Sequence, residues 1–291
     1  MALEHPVSST PAAGRGTMGR LASQRGAIAG LVVLGTLVVL ALGAPWLNAR
    51  DPIKTSVRDA LQPPGPRFVL GSDQFGRDVA SRVLHGARIS LTVGLIAVSI
   101  ATVLGAPIGL VAGYYGGWLD AVLMRATDVV MAFPSLVLAI GLIAVFEEPG
   151  LDKVFLVLGA LGWTTIARVI RGEVLTLRGQ EYVEAARAVG VPDPVILVRH
   201  VLPNCLGPLL VAATIGVGGN MVAEAGLSFL GLGAQPPTIS WGAMLAEGQT
   251  FLTAAPWVAV FPGGALLLAV LGVNLLGDGL RDLLDPRFRK W

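Results

Sequence analysis

Two acidic residues of this chain, Asp128 and Glu224, lie near or inside long apolar segments, where they could carry protons. A carboxylate inside a membrane is costly and usually faces a polar partner or a water path. A relay of such acids would suit a proton-driven transporter. The simpler interpretation is that Asp128 reaches polar partners at the inner end of its segment and that Glu224 packs at a helix junction. Ser135 and Asn220, polar residues in the same apolar surroundings, are further candidates for a polar pathway or a junction.

The remaining reactive side chains do not form a recognisable catalytic or metal site. His5, His85 and His200 are far apart and lack the spacing of metal ligands. The single cysteine, Cys205, can form no internal disulfide, and we expect it to pack as a small apolar residue. No lysine follows a glycine, so the phosphate-binding pattern that ends in G-K-[ST] is absent from the sequence. The H-E-x-x-H, G-x-G-D and G-x-S-x-G patterns of hydrolases are absent as well. The sequence therefore predicts no catalytic residue, cofactor or metal ion on this chain.

A polar insert, residues 171–204, lies between two apolar segments and has the pattern of two short helices joined by a tight turn. Residues 180–189 are compatible with a helix, Gly190 stands where that helix would end, and Pro192 prevents its continuation. Asp193 and the proline after it then predict an N-cap followed by proline in the first helical position. We expect this second helix to end near Leu202, before Pro203.

The first helix of the insert predicts a surface for a partner protein. Ala185 and Ala186 lack long side chains, so another surface can come close to the backbone there. Glu184 and Arg187 offer charges to that surface. The alternative interpretation is an ordinary solvated loop between two membrane spans.

The composition is that of a membrane protein. Apolar residues make up 54% of the chain and charged residues 14%, whereas a soluble domain carries about 25% charged residues. The uncharged stretches are long enough to cross a bilayer, which takes about 20 residues. The shortest, between Lys153 and Arg168, suffices if Arg168 reaches toward the interface. We therefore predict an all-α membrane protein with six transmembrane helices, near residues 27–47, 89–112, 121–145, 154–170, 206–232 and 257–276. The third is interrupted at Pro134.

The segments outside the predicted spans carry further expectations. We expect the N-terminal tail, residues 1–25, to be retained, because the apolar run after it is longer than that of a signal peptide. Residues 48–88 are predicted to be an extended loop that ends in a short helix, residues 78–87, lying on the membrane surface. Lysine and arginine favour an N-terminus inside the cell, although residues 48–88 are themselves rich in arginine.

Glycines recur every four residues in the second span, at Gly105, Gly109 and Gly113, and Gly117 extends the series. Residues spaced by four share one face of a helix. Such a face lets another helix backbone come close, so we predict close helix packing there. A substrate groove is the alternative.

The insert resembles the EAA loop of bacterial ABC importer permeases. That pattern is E-A-A, three residues, G, nine residues, an apolar residue, any residue and L-P. Glu184-Ala185-Ala186, Gly190 and Leu202-Pro203 fall on this register. His200 stands where the general pattern has an apolar residue, and this is the one departure. In that family the loop fits a separate ATPase subunit.

Motifs elsewhere are similar to one branch of that family, the C-type subunits of dipeptide and oligopeptide permeases and their nickel relatives. The segment Arg199-His200-Val201-Leu202-Pro203-Asn204 is a usual form in this branch, so His200 fits it. The resemblance covers residues 26–290. Its other motifs are Leu70-Gly71-Ser72-Asp73, Gly76-Arg77-Asp78, Ser81-Arg82-Val83, Gly86-Ala87-Arg88-Ile89-Ser90-Leu91, Ala132-Phe133-Pro134-Ser135-Leu136, the run from Glu224 to Gly233, Ser240-Trp241-Gly242 and the run from Gly277 to Asp282.

The resemblance implies a permease subunit of an ATP-driven importer of di- or oligopeptides. A second homologous permease chain would complete the pathway as a heterodimer. One or two cytoplasmic subunits would bind ATP and Mg, and an extracytoplasmic solute-binding protein would deliver the substrate. The residues implied in ATPase coupling are Glu184, Ala185, Ala186, Arg187, Gly190, Leu202 and Pro203.

The same resemblance implies a location and a domain organisation. The chain would cross the bacterial cytoplasmic (inner) membrane several times, in contact with lipid and with both termini in the cytoplasm. Residues 1–25 would be a cytoplasmic tail and residues 26–291 the transmembrane permease domain. Within that domain, residues 48–88 would form an extracytoplasmic loop and residues 171–204 the cytoplasmic coupling loop.

Three alternatives remain from the sequence. The same machinery could import nickel or another small solute. A proton-driven secondary transporter would use Asp128 and Glu224. An intramembrane enzyme is the third, but its motifs are missing. A nucleic-acid role has no basic stripe to support it, because the net charge of +2 is small and spread out.

Overall fold

Apolar segments in a membrane fold as helices because each backbone N–H then finds its acceptor within the same segment. A computed structural model describes residues 25–48 and 50–284, and every regular element within these ranges is helical, as predicted. A π-helical turn lies at Leu197–Val201, and short 3-10 turns lie at Val57–Asp59 and Gln249–Phe251. The helices are α1 Arg25–Leu47, α2 Val79–Tyr115, α3 Gly117–Met131, α4 Ser135–Ile143, α5 Leu151–Leu177, α6 Glu181–Ala188, α7 Asp193–Ile196, α8 Leu202–Phe229, α9 Trp241–Gly248 and α10 Trp257–Leu284.

By length and composition, five of these helical stretches can cross a membrane: α1, α2, α5, the α7–α8 stretch and α10. A sixth crossing is reached when α3 and α4 are taken as one span, which bends by 83° at the break before Ser135. The predicted interruption at Pro134 is therefore confirmed. Of the predicted N-terminal tail, only Arg25 lies among the described residues, and the basic segment 287–290 lies outside them.

Helix α2 packs closely against α5 along the predicted glycine face. A Cβ at Gly105 would lie 2.4 Å from the carbonyl oxygen of Trp163, and one at Gly109 would lie 2.4 Å from that of Ala167. At Gly113 it would meet the Cβ of Val174 at 2.8 Å. Close packing within the chain is thus confirmed. Gly117 does not extend this face: it begins α3, and open space surrounds it.

The expected surface helix at residues 78–87 is wrong, because these residues form the first turns of the long helix α2. Asp78 caps that helix by accepting a hydrogen bond from the Ser81 backbone N–H at 2.9 Å. Arg82 in these turns is buried and pairs with Asp73 and Glu247. Its charge is therefore neutralised inside the fold, where a surface helix would leave it exposed.

Residues 50–78 fold into a compact segment against the ends of α2, α9 and α10. Arg77 Nε lies 2.6 Å from Asp73 Oδ2, and Arg77 Nη2 lies 2.5 Å from Glu247 Oε2 of α9. The indole N–H of Trp257, at the start of α10, donates to the Ser72 carbonyl at 3.0 Å. We call Asp73, Arg77, Arg82 and Glu247 the α2–α9 ion network. It ties this segment to both α2 and α9.

A proline near the end of α1 explains how that helix is held to α2. Pro45 has no N–H, so it leaves the carbonyl of Ala41, four residues earlier, without its helical donor. Arg88 of α2 replaces that donor: its Nε donates to the Ala41 carbonyl at 2.6 Å, and its Nη2 donates to that of Leu42 at 2.9 Å. The guanidinium thereby joins the two helices at a point where the backbone hydrogen bonding of α1 is incomplete.

Candidate functional site

The polar insert forms the helix, turn and helix that the sequence predicted, and Gly190 makes the turn. Gly190 has a φ of +80°, a conformation that favours glycine. Its N–H donates to the Arg187 carbonyl at 3.0 Å, and the N–H of Val191 donates to the Ala186 carbonyl at 3.1 Å. These two bonds are those of a Schellman motif, which satisfies the last carbonyls of a helix. The expected end of the first helix is therefore confirmed.

The underside of the insert is anchored in an apolar cluster. Val183 of α6, Ile196 of α7 and Val201 of the π-helical turn are fully buried. They lie in one cluster with Ile170 and Val174 of α5. Because α5 leads directly into the insert, this packing holds α6 and α7 as one unit on the end of the helix bundle.

The opposite side of the insert is exposed and mostly apolar or small. Glu184, Ala185 and Ala188 are exposed on α6, and the exposed fraction of Val189 is 79%. Val198 beyond α7 is 65% exposed. We call these five residues the insert surface. The helix α6 belongs to none of the candidate spans, and apolar side chains exposed on such a folded unit are typical of a surface that another protein covers.

The other residues implied in coupling lie at the edge of this surface. Ala186 is half-buried, while Arg187 and Gly190 are exposed. The guanidinium of Arg187 lies over the ring of Tyr114 in α2, 5.2 Å from its centroid. Arg187 therefore contacts its own chain as well as solvent.

Asp193 does not cap α7 as predicted, because the cap position is one residue earlier, at Pro192. The Asp193 carboxylate instead accepts a hydrogen bond from the Tyr114 hydroxyl at 2.7 Å. Sequence reasoning missed Tyr114: the two residues are 79 positions apart, and no local pattern links them.

We expected the second helix of the insert to end before Pro203, but it does not. It continues through the π-helical turn into α8, and Pro203 lies, exposed, in the first turn of α8, beside half-buried Leu202. The N–H of Leu202 donates to the Leu197 carbonyl, five residues earlier. A proline ring clashes with the carbonyl four residues before it, and the wider turn makes room for that ring.

A hydrogen bond also joins the two ends of the insert. Asn204 Nδ2 donates to the Tyr182 hydroxyl of α6 at 3.3 Å and to the His200 carbonyl at 2.7 Å. Burial raises the pKa of Tyr182, so its phenol stays neutral and can accept this bond.

Asp128 forms an ion pair between two helices. Its Oδ1 lies 2.6 Å from Nη2 of Arg168 in α5, and Arg125 is 3.7 Å away on the same helix. Sequence reasoning missed a second, parallel pair, in which both carboxylate oxygens of Asp120 accept from Arg171, at 2.5 and 2.7 Å. Two arginines on α5 thus hold α3, and this supports the interpretation of Asp128 as a residue with polar partners.

Glu224 is fully buried near the end of α8, where that helix meets the start of α9. Its Oε1 accepts from the Ser228 hydroxyl at 2.6 Å. Its Oε2 has no hydrogen-bond partner among the described residues. Ser135 is exposed at the start of α4, and Asn220 is half-buried on α8, one turn before Glu224. These polar candidates therefore lie on three different helices, and Asp128 and Glu224 have separate partners.

The described residues contain no group of three His, Cys, Asp or Glu side chains that could hold a metal ion. His85 Nδ1 lies 2.8 Å from the Ser81 carbonyl of its own helix, and Cys205 is buried in the apolar cluster below the insert.

The sequence matches two family models. One, described as binding-protein-dependent transport system inner membrane component, matches residues 105–290. The other, the N-terminal TM domain of oligopeptide transport permease C, matches residues 14–64. Together they cover α1 with part of the segment after it, and the helices that carry the insert.

Individual proteins are similar over nearly the full length. A dipeptide transport system permease protein of Alkalihalophilus pseudofirmus is 41% identical, covering 90% of this chain and 86% of its own. A putative peptide transport system permease protein of Brucella suis is 45% identical, covering 94% and 92%. A glutathione transport system permease protein of Pectobacterium atrosepticum is 43% identical, covering 90% and 86%.

The fold is also similar to a solved structure. An inward-facing conformation of the MetNI methionine ABC transporter contains a chain that superposes with a TM-score of 0.60. The match covers 70% of this chain and 96% of that one, at 19% identity. At this identity the likeness concerns the fold alone.

Proposed function

This chain belongs to the family of binding-protein-dependent transport system inner membrane components, and from that membership we propose that it imports di- or oligopeptides as half of an ATP-driven pathway. The family resemblance drawn from the sequence motifs is confirmed by the same matches. The observation that carries the mechanism is the insert surface, an exposed apolar face on a unit that is rigidly packed underneath.

The insert surface is proposed as the docking site of an ATPase subunit. Ala185 and Ala188 allow close approach, and Val189 and Val198 supply apolar area that a partner would bury. Glu184 adds one negative charge for a complementary residue. ATP and Mg would be bound by that partner, because this sequence lacks a phosphate-binding loop. Leu202 and Pro203 would act at a distance, by joining the insert to α8 as one continuous helix.

A second permease chain is proposed to cover the exposed side of α3 and α4 and to complete the pathway. The bend between these helices exposes Phe133 and Leu136 beside the polar Ser135. Mixed polar and apolar exposure at a break in a span fits a partner or a water path better than lipid. Asn220 is proposed to face the same pathway, whereas Asp128 and Glu224 serve as helix junctions through their partners.

Peptides are the proposed cargo because the three relatives described above are named as permease proteins for a dipeptide, a peptide and glutathione. A solute-binding protein would deliver the peptide on the extracytoplasmic side of the membrane. Residues 50–78 and the α2–α9 ion network would lie on that side. The insert would then lie in the cytoplasm, and the chain would sit in the bacterial inner membrane with both termini inside.

The coupling proposal is tested by changing Gly190 to valine in a complex with its partner subunits. A β-branched residue at φ +80° is strained by roughly 1–2 kcal/mol or more, although the surrounding space is open. We expect a deformed turn, reduced retention of the ATPase subunits and reduced uptake of a labelled dipeptide. Gly179→Val is the matched control, because Gly179 also lies in open space but without a positive φ.

Two outcomes would contradict the proposal. If Gly190→Val retains its ATPase subunits and transports as well as Gly179→Val, the insert does not couple the complex to ATP. If the unaltered complex takes up the dipeptide equally well without ATP and stops when the proton gradient collapses, the transport is secondary.

A further inference from the structure

Tyr114 is the side chain through which α2 contacts both helices of the insert. It is the second-last residue of α2 and is 5% exposed. Its hydroxyl donates to Asp193 of α7 at 2.7 Å, and its ring lies under the Arg187 guanidinium of α6. It also belongs to the apolar cluster that holds Val183 and Ile196. One residue therefore touches both sides of the Gly190 turn.

The contacts of Tyr114 differ in kind from the packing around it. Apolar burial is non-directional, so the cluster alone would tolerate small shifts of the insert across the end of α2. A hydrogen bond to a carboxylate depends steeply on distance and angle. The Tyr114–Asp193 bond therefore fixes the position of the insert relative to the helix axis of α2.

Helix α2 is suited to carry a displacement from the insert to the far end of the bundle. Its 37 residues form one helix, with Pro107 inside it, and span roughly 55 Å at 1.5 Å per residue. Near its other end, Arg82 is buried in the α2–α9 ion network with Asp73 and Glu247. Both ends of the helix are thus joined by directional polar contacts to the segments that would move.

We infer that Tyr114 is a positioning residue for energy coupling: it transmits movement of the insert to α2 through its hydrogen bond to Asp193. The inference rests on the proposed function of the insert, because it assumes that an ATPase subunit moves α6 and α7. Tyr114 is almost fully buried, so in this proposal it touches neither the ATPase nor the cargo. It acts by keeping the insert and α2 in one register.

The test replaces Tyr114 with phenylalanine in the assembled complex. This change keeps the ring under Arg187 and removes only the hydroxyl. We expect the ratio of peptide-stimulated to basal ATP hydrolysis to fall about fivefold or more, in the range typical of coupling between two sites. Subunit retention and thermal stability are measured on the same sample, and we expect both to stay close to those of the unaltered complex.

The chain offers a matched control in the neighbouring tyrosine. Tyr115 packs edge-on against Tyr114 with ring centroids 5.2 Å apart and is 48% exposed. Tyr115→Phe removes a hydroxyl from the same turn of α2, and the ratio should stay unchanged. If Tyr115→Phe lowers the ratio as much as Tyr114→Phe does, the Asp193 bond is not responsible and the inference falls.

Variants of the acceptor approach the same bond from the other side. Asp193→Asn keeps an oxygen that can accept from the hydroxyl, so the ratio should largely recover, whereas Asp193→Ala should match Tyr114→Phe. The Tyr114→Phe, Asp193→Ala double variant should be no worse than either single change, because all three lose one bond. Full additivity, or equal loss in Asp193→Asn and Asp193→Ala, would overturn the inference. The Asp193 variants also decide the matter if Tyr114→Phe does not fold.

Gly190→Val, measured in the same assay, separates the coupling role of the insert from the positioning role of Tyr114. If it uncouples the complex while Tyr114→Phe leaves the ratio intact, the insert couples without Tyr114 and only this inference is wrong. If neither variant changes the ratio, the coupling role of the insert is wrong and the inference falls with it.

Discussion

Replacing Gly109 with alanine should destabilise the chain, because a single methyl group would enter the contact between α2 and α5. The added Cβ would lie 2.4 Å from the carbonyl oxygen of Ala167 and 2.9 Å from the Cβ of Ile170. Carbon atoms pack at about 3.5–4.0 Å, so the oxygen would have to move by roughly 1 Å. That oxygen belongs to the backbone of α5 and cannot move without the helix.

The cost follows from comparable overpacking in protein cores, about 1–3 kcal/mol for extra methyl groups. At roughly 2–4 °C per kcal/mol, as for domains of 150–250 residues, the unfolding temperature should fall by about 2–12 °C. The measurement is thermal unfolding of the purified chain in detergent, followed by the loss of monodisperse protein on size exclusion. Gly172→Ala is the matched control: it lies on α5 with nothing within 4 Å of the added Cβ.

We expect Gly172→Ala to be as stable as the unaltered chain or about 0.5–1 kcal/mol more stable, because alanine favours a helix interior over glycine by that amount. The reasoning is refuted if both variants unfold at the same temperature. Equal stability would mean that α2 and α5 are farther apart than the glycine contacts require, and that the Gly105–Gly113 face packs elsewhere.

Two further changes test the orientation in the membrane and the joint between α1 and α2. In a Cys205→Ala background, Val57→Cys should react with a membrane-impermeant thiol reagent in intact cells and Gln180→Cys only after permeabilisation; the reverse pattern would invert the proposed topology. Arg88→Met should cost about 1–3 kcal/mol by leaving a buried carbonyl without a donor, and Pro45→Ala should recover much of that loss by restoring a backbone N–H. Thermal unfolding is measured for the unaltered chain, for each single variant and for the double variant. If the stability changes of the two substitutions simply add in the double variant, Arg88 does not replace the donor that Pro45 lacks.

Features that depend on neighbouring residues could be predicted from the sequence. The break before α4 follows from Pro134, and the turn after α6 follows from Gly190 and the proline two positions later. The close approach of α2 to α5 follows from glycines repeated every four residues. In each case one residue type has a backbone constraint or a missing side chain that acts within a single helical turn.

Features that depend on distant partners could not be predicted. Arg82 and Glu247 are 165 positions apart, and their pairing buries the start of α2, where the sequence predicted a short helix on the membrane surface. Asp193 had the local pattern of a helix cap, but its carboxylate is taken by Tyr114 of another helix. The continuous helix through Pro203 was missed because the π-helical turn Leu197–Val201, just before it, makes room for the ring. Tertiary contacts decided the first two cases, and a local widening of the helix decided the third.

The bend between α3 and α4 restricts what can surround it. The α3 helix has 15 residues, so the bend lies roughly 22 Å from its first residue, within the depth of a bilayer core of about 30 Å. The first backbone bond of α4 is made by the Leu138 N–H to the Pro134 carbonyl, and the N–H groups before it belong to the unpaired donors that begin any helix. Hydrocarbon offers no acceptor for them. Lipid tails are therefore excluded from this corner of the chain, and only water or another protein can fill it.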